Sequence, residues 1–408
     1  MNTILTLLTV NKGYCCARFI GNVMNKIDGL KALFERTREN IGSERGRANE
    51  EKWKRKAGHK APDGPFNIFL GMSYFCRALE VDLREYYFDP VLYLSTNLRL
   101  NLLKYEKFMD DVPLTKVIPW NPGVTMEPSL FGVEAVYQSD KEAWESHDSH
   151  LIQDYSDLAS IQPPDFFGSE AMRYIHSMYE QLSELVSKLA PDFSISFPRW
   201  RRSPFGNACS LRGMERLCMD FYDNPEFVHE LMAFVTRSRM QWEDACNAFL
   251  GEKVGYILAN DEVNCPTLSP ALYSEFILPY EKQLLSYYGS LDYFHSCGNL
   301  TPLIPYIKEM DPAMFQVSPW TSLEAACKAF AGTRTVLDIW VNTSDDVMNA
   351  SGGHARQVMS RLTAACREAD IAGFQFNSGN IQQIAKTVQG DDAKIIQWAN
   401  ACRSAQAR

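Results

Sequence analysis

The chain alternates between short apolar runs and longer segments with helical periodicity, and this alternation constrains its fold more than any other feature. Strands that alternate with helices predict a parallel sheet, because each helix carries the chain back across the sheet. Eight units of this kind predict an α/β fold of the (β/α)8 TIM-barrel type, with an open doubly wound sheet as the alternative. The eight predicted strands cover residues 66–70, 115–127, 193–197, 255–260, 291–295, 314–317, 335–339 and 373–376.

Several helix starts between these runs combine a capping residue with a proline. Asn224, Ser269 and Thr301 each precede a proline, an arrangement typical of a helix N-terminus. Pro279 lies inside the helix that Ser269 opens. Because proline lacks the backbone N–H that an interior helical position uses, we expect a kink there.

Two segments lie outside the barrel pattern. Residues 1–60 predict an N-terminal extension with an amphipathic helix that begins near Met24, and the hypothesis is that residues 1–23 are dispensable. Residues 61–400 then form the barrel domain. The acidic stretch at about 128–190 is long for a connection after the second strand, so we expect an insertion that covers one barrel face.

Composition excludes several classes of protein. The 408 residues carry a formal net charge of −9, whereas nucleic-acid binding requires clustered positive charge, so no nucleic-acid partner is expected. No apolar run approaches the roughly 20 residues that cross a bilayer, so no membrane association is expected. The 11 cysteines follow no disulfide framework and are typical of the reduced thiols of a cytoplasmic protein.

The most informative polar residues follow the strand at 291–295. His295 and Cys297 are two residues apart, and residues at that spacing on a strand point to the same face. Nitrogen and sulfur ligands together suit Zn²⁺. The spacing also fits a core histidine beside a buried thiol, so at this point both readings stand.

Further candidates sit at the carboxyl ends of other strands, where barrel enzymes place their chemistry. Asp261 and Glu262 are neighbours after the strand at 255–260, and neighbouring residues face opposite ways, so we expect one of them to act as a ligand or general base. Arg199 directly follows a strand and is predicted to bind an anionic group of a substrate, with ion pairs to the acidic insertion as the equal alternative. Glu127 and Tyr74 are predicted to contact substrate, although hydrogen bonding and core packing are the alternatives.

Two stretches, "TLSPALYSEFILPYEKQLLSYY" and "YFHSCGNLTPLI", resemble the uroporphyrinogen decarboxylase superfamily, and within it the cobalamin-dependent methyltransferase branch. The resemblance implies a (β/α)8 barrel in which the H-x-C pair supplies two zinc ligands. It also implies a third ligand, a cysteine near the last strand. Here the corresponding stretch "FQFNSGNIQ" carries Asn380 instead, so Glu262, Asp261 or Cys265 would have to complete the shell, or the metal has been lost.

The function that the resemblance implies is zinc-dependent methyl transfer between a corrinoid protein and a small-molecule donor or acceptor. In this reading His295 and Cys297 hold Zn²⁺, Glu262 or Asp261 completes the shell or handles a proton, and Asn380 faces the substrate. The near-match "DSHLIQ" lacks the glycine of a corrinoid-binding motif, so methylcobalamin would be carried by a partner protein. The alternatives are a metal-free decarboxylase and a degenerate, non-catalytic barrel.

Overall fold

Ten strands form in the part of the chain that the computed structural model describes, which comprises residues 17–55, 64–146, 150–253 and 255–407, with side chains from residue 25 onward. Their bounds are β1 Phe66–Leu70, β2 Val117–Pro119, β3 Ala135–Val136, β4 Trp144–Glu145, β5 Ser194–Ser196, β6 Tyr256–Ala259, β7 Leu291–His295, β8 Met314–Val317, β9 Val336–Trp340 and β10 Gly373–Ile381.

Six of these strands form one parallel sheet in the order β1-β10-β9-β8-β7-β6. β2 and β5 form a second parallel pair, and a bridge between Arg202 and Ala259 joins the segment after β5 to β6. Within the described residues no ladder joins β1 to β2; the amides of Phe66 and Ile68 instead donate to Asp111 at 3.0 Å and Asp110 at 3.2 Å. The predicted parallel α/β architecture with a TIM-like strand order is thus confirmed.

Each predicted strand region contains a strand, but the second one was predicted too long. Only Val117–Pro119 is extended, whereas residues 123–127 form a turn and the start of a helix at Met126. Prolines at 119 and 122 cannot donate to a ladder, and Gly123 adopts a φ of +101° that ends the extended path.

Sixteen α-helices occur among the described residues, and five short π or 3₁₀ segments accompany them. The helices are α1 Ala17–Gly42, α2 Glu44–Arg55, α3 Met72–Ala78, α4 Leu83–Phe88, α5 Pro90–Leu102, α6 Met126–Leu130, α7 Glu170–Leu189, α8 Pro204–Arg212, α9 Met214–Asp223, α10 Pro225–Leu250, α11 Pro270–Leu272, α12 Leu278–Tyr288, α13 Ile304–Glu309, α14 Leu323–Phe330, α15 Gly352–Glu368 and α16 Val388–Gln406. The π segments are Leu103–Phe108, Tyr273–Ile277 and Thr343–Met348, and the 3₁₀ segments are Tyr155–Ser160 and Thr301–Leu303.

The predicted helix starts are confirmed in two cases of three. Asn224 accepts a hydrogen bond from the Phe227 amide, and Ser269 accepts one from the Leu272 amide. Thr301 was wrong as a cap, because it lies inside its 3₁₀ turn and its hydroxyl accepts the Ser322 amide at 2.9 Å. A kink was expected at Pro279. The helix is interrupted just before this residue by the π segment Tyr273–Ile277, which separates α11 from α12.

The N-terminal helix packs against the barrel, and the expectation that the insertion covers one barrel face stays a prediction. α1 includes the predicted amphipathic helix, and its Leu30 and Phe34 are buried, with the Phe34 ring 5.0 Å from that of Phe193. Residues 1–16 lie outside the described residues, so the dispensability of 1–23 stays a prediction. Beyond β2, residues 131–169 carry the β3–β4 hairpin, whereas α7 directly precedes β5. None of the described helices combines the length and apolarity needed to span a membrane.

Candidate active site

Several side chains on different strands meet on the concave side of the six-stranded sheet. The Tyr293 hydroxyl on β7 donates to Asp338 on β9 at 2.6 Å, although β8 lies between these strands. The ring centroids of His295 and Trp340 are 5.7 Å apart across the same gap, and those of Phe69 on β1 and Trp340 are 5.9 Å apart across β10. Contacts that skip a strand form only inside a curled sheet, so these five residues face the barrel axis.

Two of the inward-facing side chains, Phe69 and His295, are partly accessible, whereas the residues before them on their strands are buried. On β1, Ile68 is fully buried but Phe69 is 43% exposed. On β7, Phe294 is fully buried, whereas the His295 side chain is 16% exposed. Because side chains alternate along a strand, the buried set packs against the surrounding helices and the accessible set lines an opening. The carboxyl end of the sheet is therefore accessible from solvent at Phe69 and His295.

Asp261, His295 and Cys297 come together at this opening. His295 Nε2 lies 3.0 Å from Asp261 Oδ1 and 3.8 Å from Cys297 Sγ, and the three ligand atoms all lie within 4.8 Å of one another. The arrangement follows from the sheet register: Ala259 on β6 pairs with His295 on β7, so the residues that continue each strand meet at its end. We call these three residues the metal-compatible cluster.

The spacing of the cluster fits a metal ion. Zinc bonds of about 2.0 to 2.3 Å in a tetrahedral shell place neighbouring ligand atoms about 3.3 to 3.8 Å apart. The separations of 3.0 and 3.8 Å need only small adjustments to reach this range. Three protein ligands also leave one tetrahedral position for a substrate, which is the arrangement of catalytic rather than structural zinc. The cluster could therefore hold a metal ion and still bind a reactant.

In the absence of a metal, His295 and Asp261 shift each other's pKa values in opposite directions. Burial disfavours the charged form of His295, but hydrogen bonds to Asp261 and Cys297 outweigh this effect and raise its pKa to about 10. Burial likewise opposes ionisation of Asp261, but the hydrogen bond from His295 outweighs it and lowers the pKa of that carboxyl. Since a metal binds only the neutral imidazole, metal binding here would displace a proton from His295.

The other residues proposed to complete the shell have different partners. Glu262 forms a 2.5 Å ion pair with Arg202, and the Cys265 thiol donates to the Leu268 carbonyl at 3.1 Å. Asn380 lies on β10, where its side-chain oxygen sits directly above Gly71 at the end of β1. Of the candidate third ligands, Asp261 is the one that the structure brings to His295 and Cys297.

Arg202 links the insertion to the strand end that carries the cluster. Its half-buried guanidinium pairs with Glu145 of the β3–β4 hairpin and with Glu262, which directly follows Asp261. The Ser210 hydroxyl donates to Glu145 at 2.9 Å. Glu127 accepts the backbone amides of residues 201 and 202 at 2.7 and 3.1 Å, which fixes the loop after β5.

The remaining predicted site residues are engaged within the protein. Glu127 is buried under the loop that it holds. Arg199 contacts Glu243 at 3.3 Å and Asn247 at 3.0 Å, both on α10. Tyr74 is buried on α3, and its hydroxyl donates to Asp392 on α16 at 2.6 Å. None of these three side chains belongs to the metal-compatible cluster, and their predicted contacts with substrate stay predictions.

Sequence reasoning did not single out Tyr293 and Arg202. Tyr293 lies two residues before His295 on the same strand, so the spacing that paired His295 with Cys297 also predicts an inward-facing phenol there. Arg202 was one of several arginines after β5, and only the positions of Glu145 and Glu262 distinguish it from Arg199.

Comparison with known proteins agrees with this architecture. The family model of uroporphyrinogen decarboxylase (URO-D) matches residues 76–387. A methyltransferase from Methanosarcina mazei has a similar solved structure, with a TM-score of 0.61 and 14% sequence identity over 84% of this chain and 94% of that chain. No curated protein matches the chain. Because the family match spans well over half of its length, the chain belongs to the uroporphyrinogen decarboxylase family.

Proposed function

We propose that the chain is a zinc-dependent methyltransferase that moves a methyl group between a separate corrinoid protein and a small molecule. The observation that carries this proposal is the convergence of Asp261, His295 and Cys297, whose ligand atoms lie within 4.8 Å of one another at an accessible sheet end. Family membership and the fold shared with a methyltransferase from Methanosarcina mazei support it.

The donor set suits Zn²⁺ in charge as well as in spacing. Asp261 and the Cys297 thiolate would together balance its two positive charges, with His295 as the neutral ligand. When bound, zinc supplies Lewis acidity that lowers the pKa of a thiol or hydroxyl, so that a nucleophilic anion is available at neutral pH. Asp261 would thereby supply the third zinc ligand, which the family resemblance assigns to a cysteine at the position of Asn380.

The protein's own residues orient the reactants. The Trp340 ring packs against His295, which restricts rotation of the imidazole, and the ion pair between Arg202 and Glu262 holds the chain beside Asp261. A corrinoid held by a partner protein would supply the methyl group with a leaving group that accepts the electron pair of the carbon–metal bond, and a thiol acceptor would gain the methyl group on its sulfur. The thiol proton leaves to solvent. Since the sequence lacks a corrinoid-binding motif, we propose that a partner protein carries the corrinoid.

A methyl-transfer assay with free methylcobalamin and 2-mercaptoethanol tests this function. Demethylation of methylcobalamin changes its visible spectrum, and the methylated thiol is measured by mass spectrometry. We expect transfer by the zinc-loaded wild type, loss in Cys297→Ser, and retention in Cys218→Ser, a half-buried cysteine on α9. Equal transfer by wild type and Cys297→Ser would contradict the proposal, as would absence of transfer to any thiol.

A further inference from the structure

A second polar layer lies one step deeper in the barrel than the metal-compatible cluster. Tyr293 precedes His295 by two residues on β7, and Asp338 precedes Trp340 by two residues on β9, so each lies about 7 Å deeper on the same face. Gln316 on β8 and Gln375 on β10 flank Asp338 in the sheet register. We call Tyr293, Gln316, Asp338 and Gln375 the floor layer.

The floor layer contains a buried carboxyl group whose direct hydrogen-bond partners are all neutral side chains. Asp338 is 3% exposed and accepts hydrogen bonds from Tyr293 at 2.6 Å, Gln375 at 2.7 Å and the Trp340 indole at 2.8 Å. These donors are all neutral. Among the described residues no lysine, arginine or histidine forms a direct ion pair with Asp338.

Gln316 adds a buried side-chain amide in which one polar atom has no hydrogen-bond partner among the described residues. It is fully buried, and its Nε2 has no partner in the described part of the chain, while its Oε1 lies 3.1 Å from the Tyr293 hydroxyl. The single hydroxyl proton of Tyr293 goes to Asp338, the nearer partner. With the amide turned so that Nε2 donates to the phenol oxygen, the Gln316 carbonyl oxygen is open instead. A ligand that donates hydrogen bonds would satisfy it.

We propose that the floor layer binds the tail of the methyl-accepting substrate, and that this tail is an ammonium group. The inference rests on the proposed function, in which the head of the substrate is a thiol at the metal-compatible cluster. An ammonium donates to both Asp338 and the Gln316 carbonyl, and the nearby rings of Tyr293 and Trp340 favour a cation. Two or three carbons separate sulfur and nitrogen by about 4 to 5 Å in an extended chain, and a hydrogen bond of about 2.8 Å from the ammonium completes the depth of about 7 Å between the two layers.

The same geometry disfavours an anionic tail. A sulfonate or carboxylate in the floor layer would face the Asp338 carboxylate without a compensating cation, and like charges at close range in a partly dry site repel strongly. Arg201 at the rim is exposed and remains available to anions outside the barrel. The floor layer therefore selects among small thiols by the charge of their tails.

Three thiols of equal chain length test the inference: 2-aminoethanethiol, 2-mercaptoethanol and 2-mercaptoethanesulfonate. Their Kd values for the zinc-loaded protein are measured by titration calorimetry at pH 7. We expect the aminothiol to bind about tenfold more tightly than the neutral thiol, a difference of about 1.4 kcal/mol, and the sulfonate to bind most weakly. In Asp338→Asn the three Kd values converge to within about threefold, because the charge that ranks them is gone.

Two further variants control for structural damage. Gln316→Leu removes the side-chain amide without changing the charge. It therefore weakens binding of the aminothiol and preserves the order of the three Kd values. Asp292→Asn changes an exposed carboxylate on β7 and leaves all three Kd values as in wild type. If Asp338→Asn does not fold, the order of the three Kd values in the wild type alone decides whether the floor layer prefers an ammonium tail.

Equal or tighter binding of the sulfonate would overturn the ammonium inference and leave the proposed methyl transfer intact. Failure of all three thiols to bind a zinc-loaded protein would overturn the inference together with the thiol acceptor, whereas absence of zinc itself would count against the proposed function.

Discussion

Glu281 provides a quantitative test of how the protein supports the strand that leads to Asp261. Its carboxyl group on α12 is fully buried, where it accepts the Tyr273 hydroxyl at 2.5 Å and the side-chain amide of Asn260, the residue before Asp261. Burial raises the pKa of Glu281 from 4.5 to about 7, although the hydrogen bonds from Tyr273 and Asn260 oppose part of this shift.

The raised pKa has a defined effect on stability. Between pH 4.5 and about 7 the folded protein holds a proton at Glu281 that the unfolded chain has lost, so the free energy of unfolding falls as pH rises through this window. A shift from 4.5 to about 7, at about 1.36 kcal/mol for each pH unit, amounts to about 3 kcal/mol. Below pH 4.5 the penalty vanishes, since both states are then protonated.

Glu281→Gln removes this ionisation and keeps a group of the same shape between Tyr273 and Asn260. We expect the unfolding free energy of the variant to exceed that of wild type by about 2 to 3 kcal/mol more at pH 8 than at pH 5. Urea unfolding in a chelating buffer, repeated at pH 5, 6, 7 and 8, measures this gap without interference from metal binding. Glu275→Gln, a change at an exposed carboxylate in the adjoining π segment, should show no such trend. A gap between Glu281→Gln and wild type that stays constant with pH would refute the reasoning.

Two further substitutions test interactions that the structure places outside the metal-compatible cluster. Arg202→Leu leaves the carboxylates of Glu145 and Glu262 unpaired, so we expect the unfolding free energy to fall by about 3 to 5 kcal/mol in urea titrations; a change below about 1 kcal/mol would mean that water reaches these groups. Tyr74→Phe deletes the hydrogen bond to Asp392 and should cost about 1 kcal/mol in the same assay. Tyr74→Phe should also leave thiol affinity unchanged in calorimetry, and a large loss of affinity would instead support its predicted role in substrate binding.

The barrel strands were predictable because both faces of each strand are constrained locally. Residues that face the helices are apolar, and several that face the barrel axis are apolar too, so strands such as Phe66–Leu70 and Met314–Val317 read as near-continuous apolar runs. The second strand was overestimated because apolar residues around Pro119, Pro122 and Gly123 imitate such a run, while their backbone chemistry prevents it. At these positions proline and glycine determine the backbone path more strongly than hydrophobicity does.

The candidate site was only half predictable, for a physical reason. His295 and Cys297 lie on one strand, so a spacing of two places their side chains together. Asp261 reaches them only through the pairing of Ala259 with His295, a register that the sequence does not contain. Neighbouring Asp261 and Glu262 face opposite ways, and the sequence could not say which one faces the cluster.

Zinc content tests the central claim most directly. Elemental mass spectrometry of purified wild type should give about one zinc per chain, with loss of the metal in Asp261→Ala, His295→Ala and Cys297→Ala. Glu262→Gln and Asn380→Ala are the matched controls and should retain zinc, because Glu262 pairs with Arg202 and Asn380 lies on β10 beside Gly71. The account would be contradicted if wild-type protein purified with zinc in the buffer contained no zinc. It would also be contradicted if all three cluster variants retained the metal.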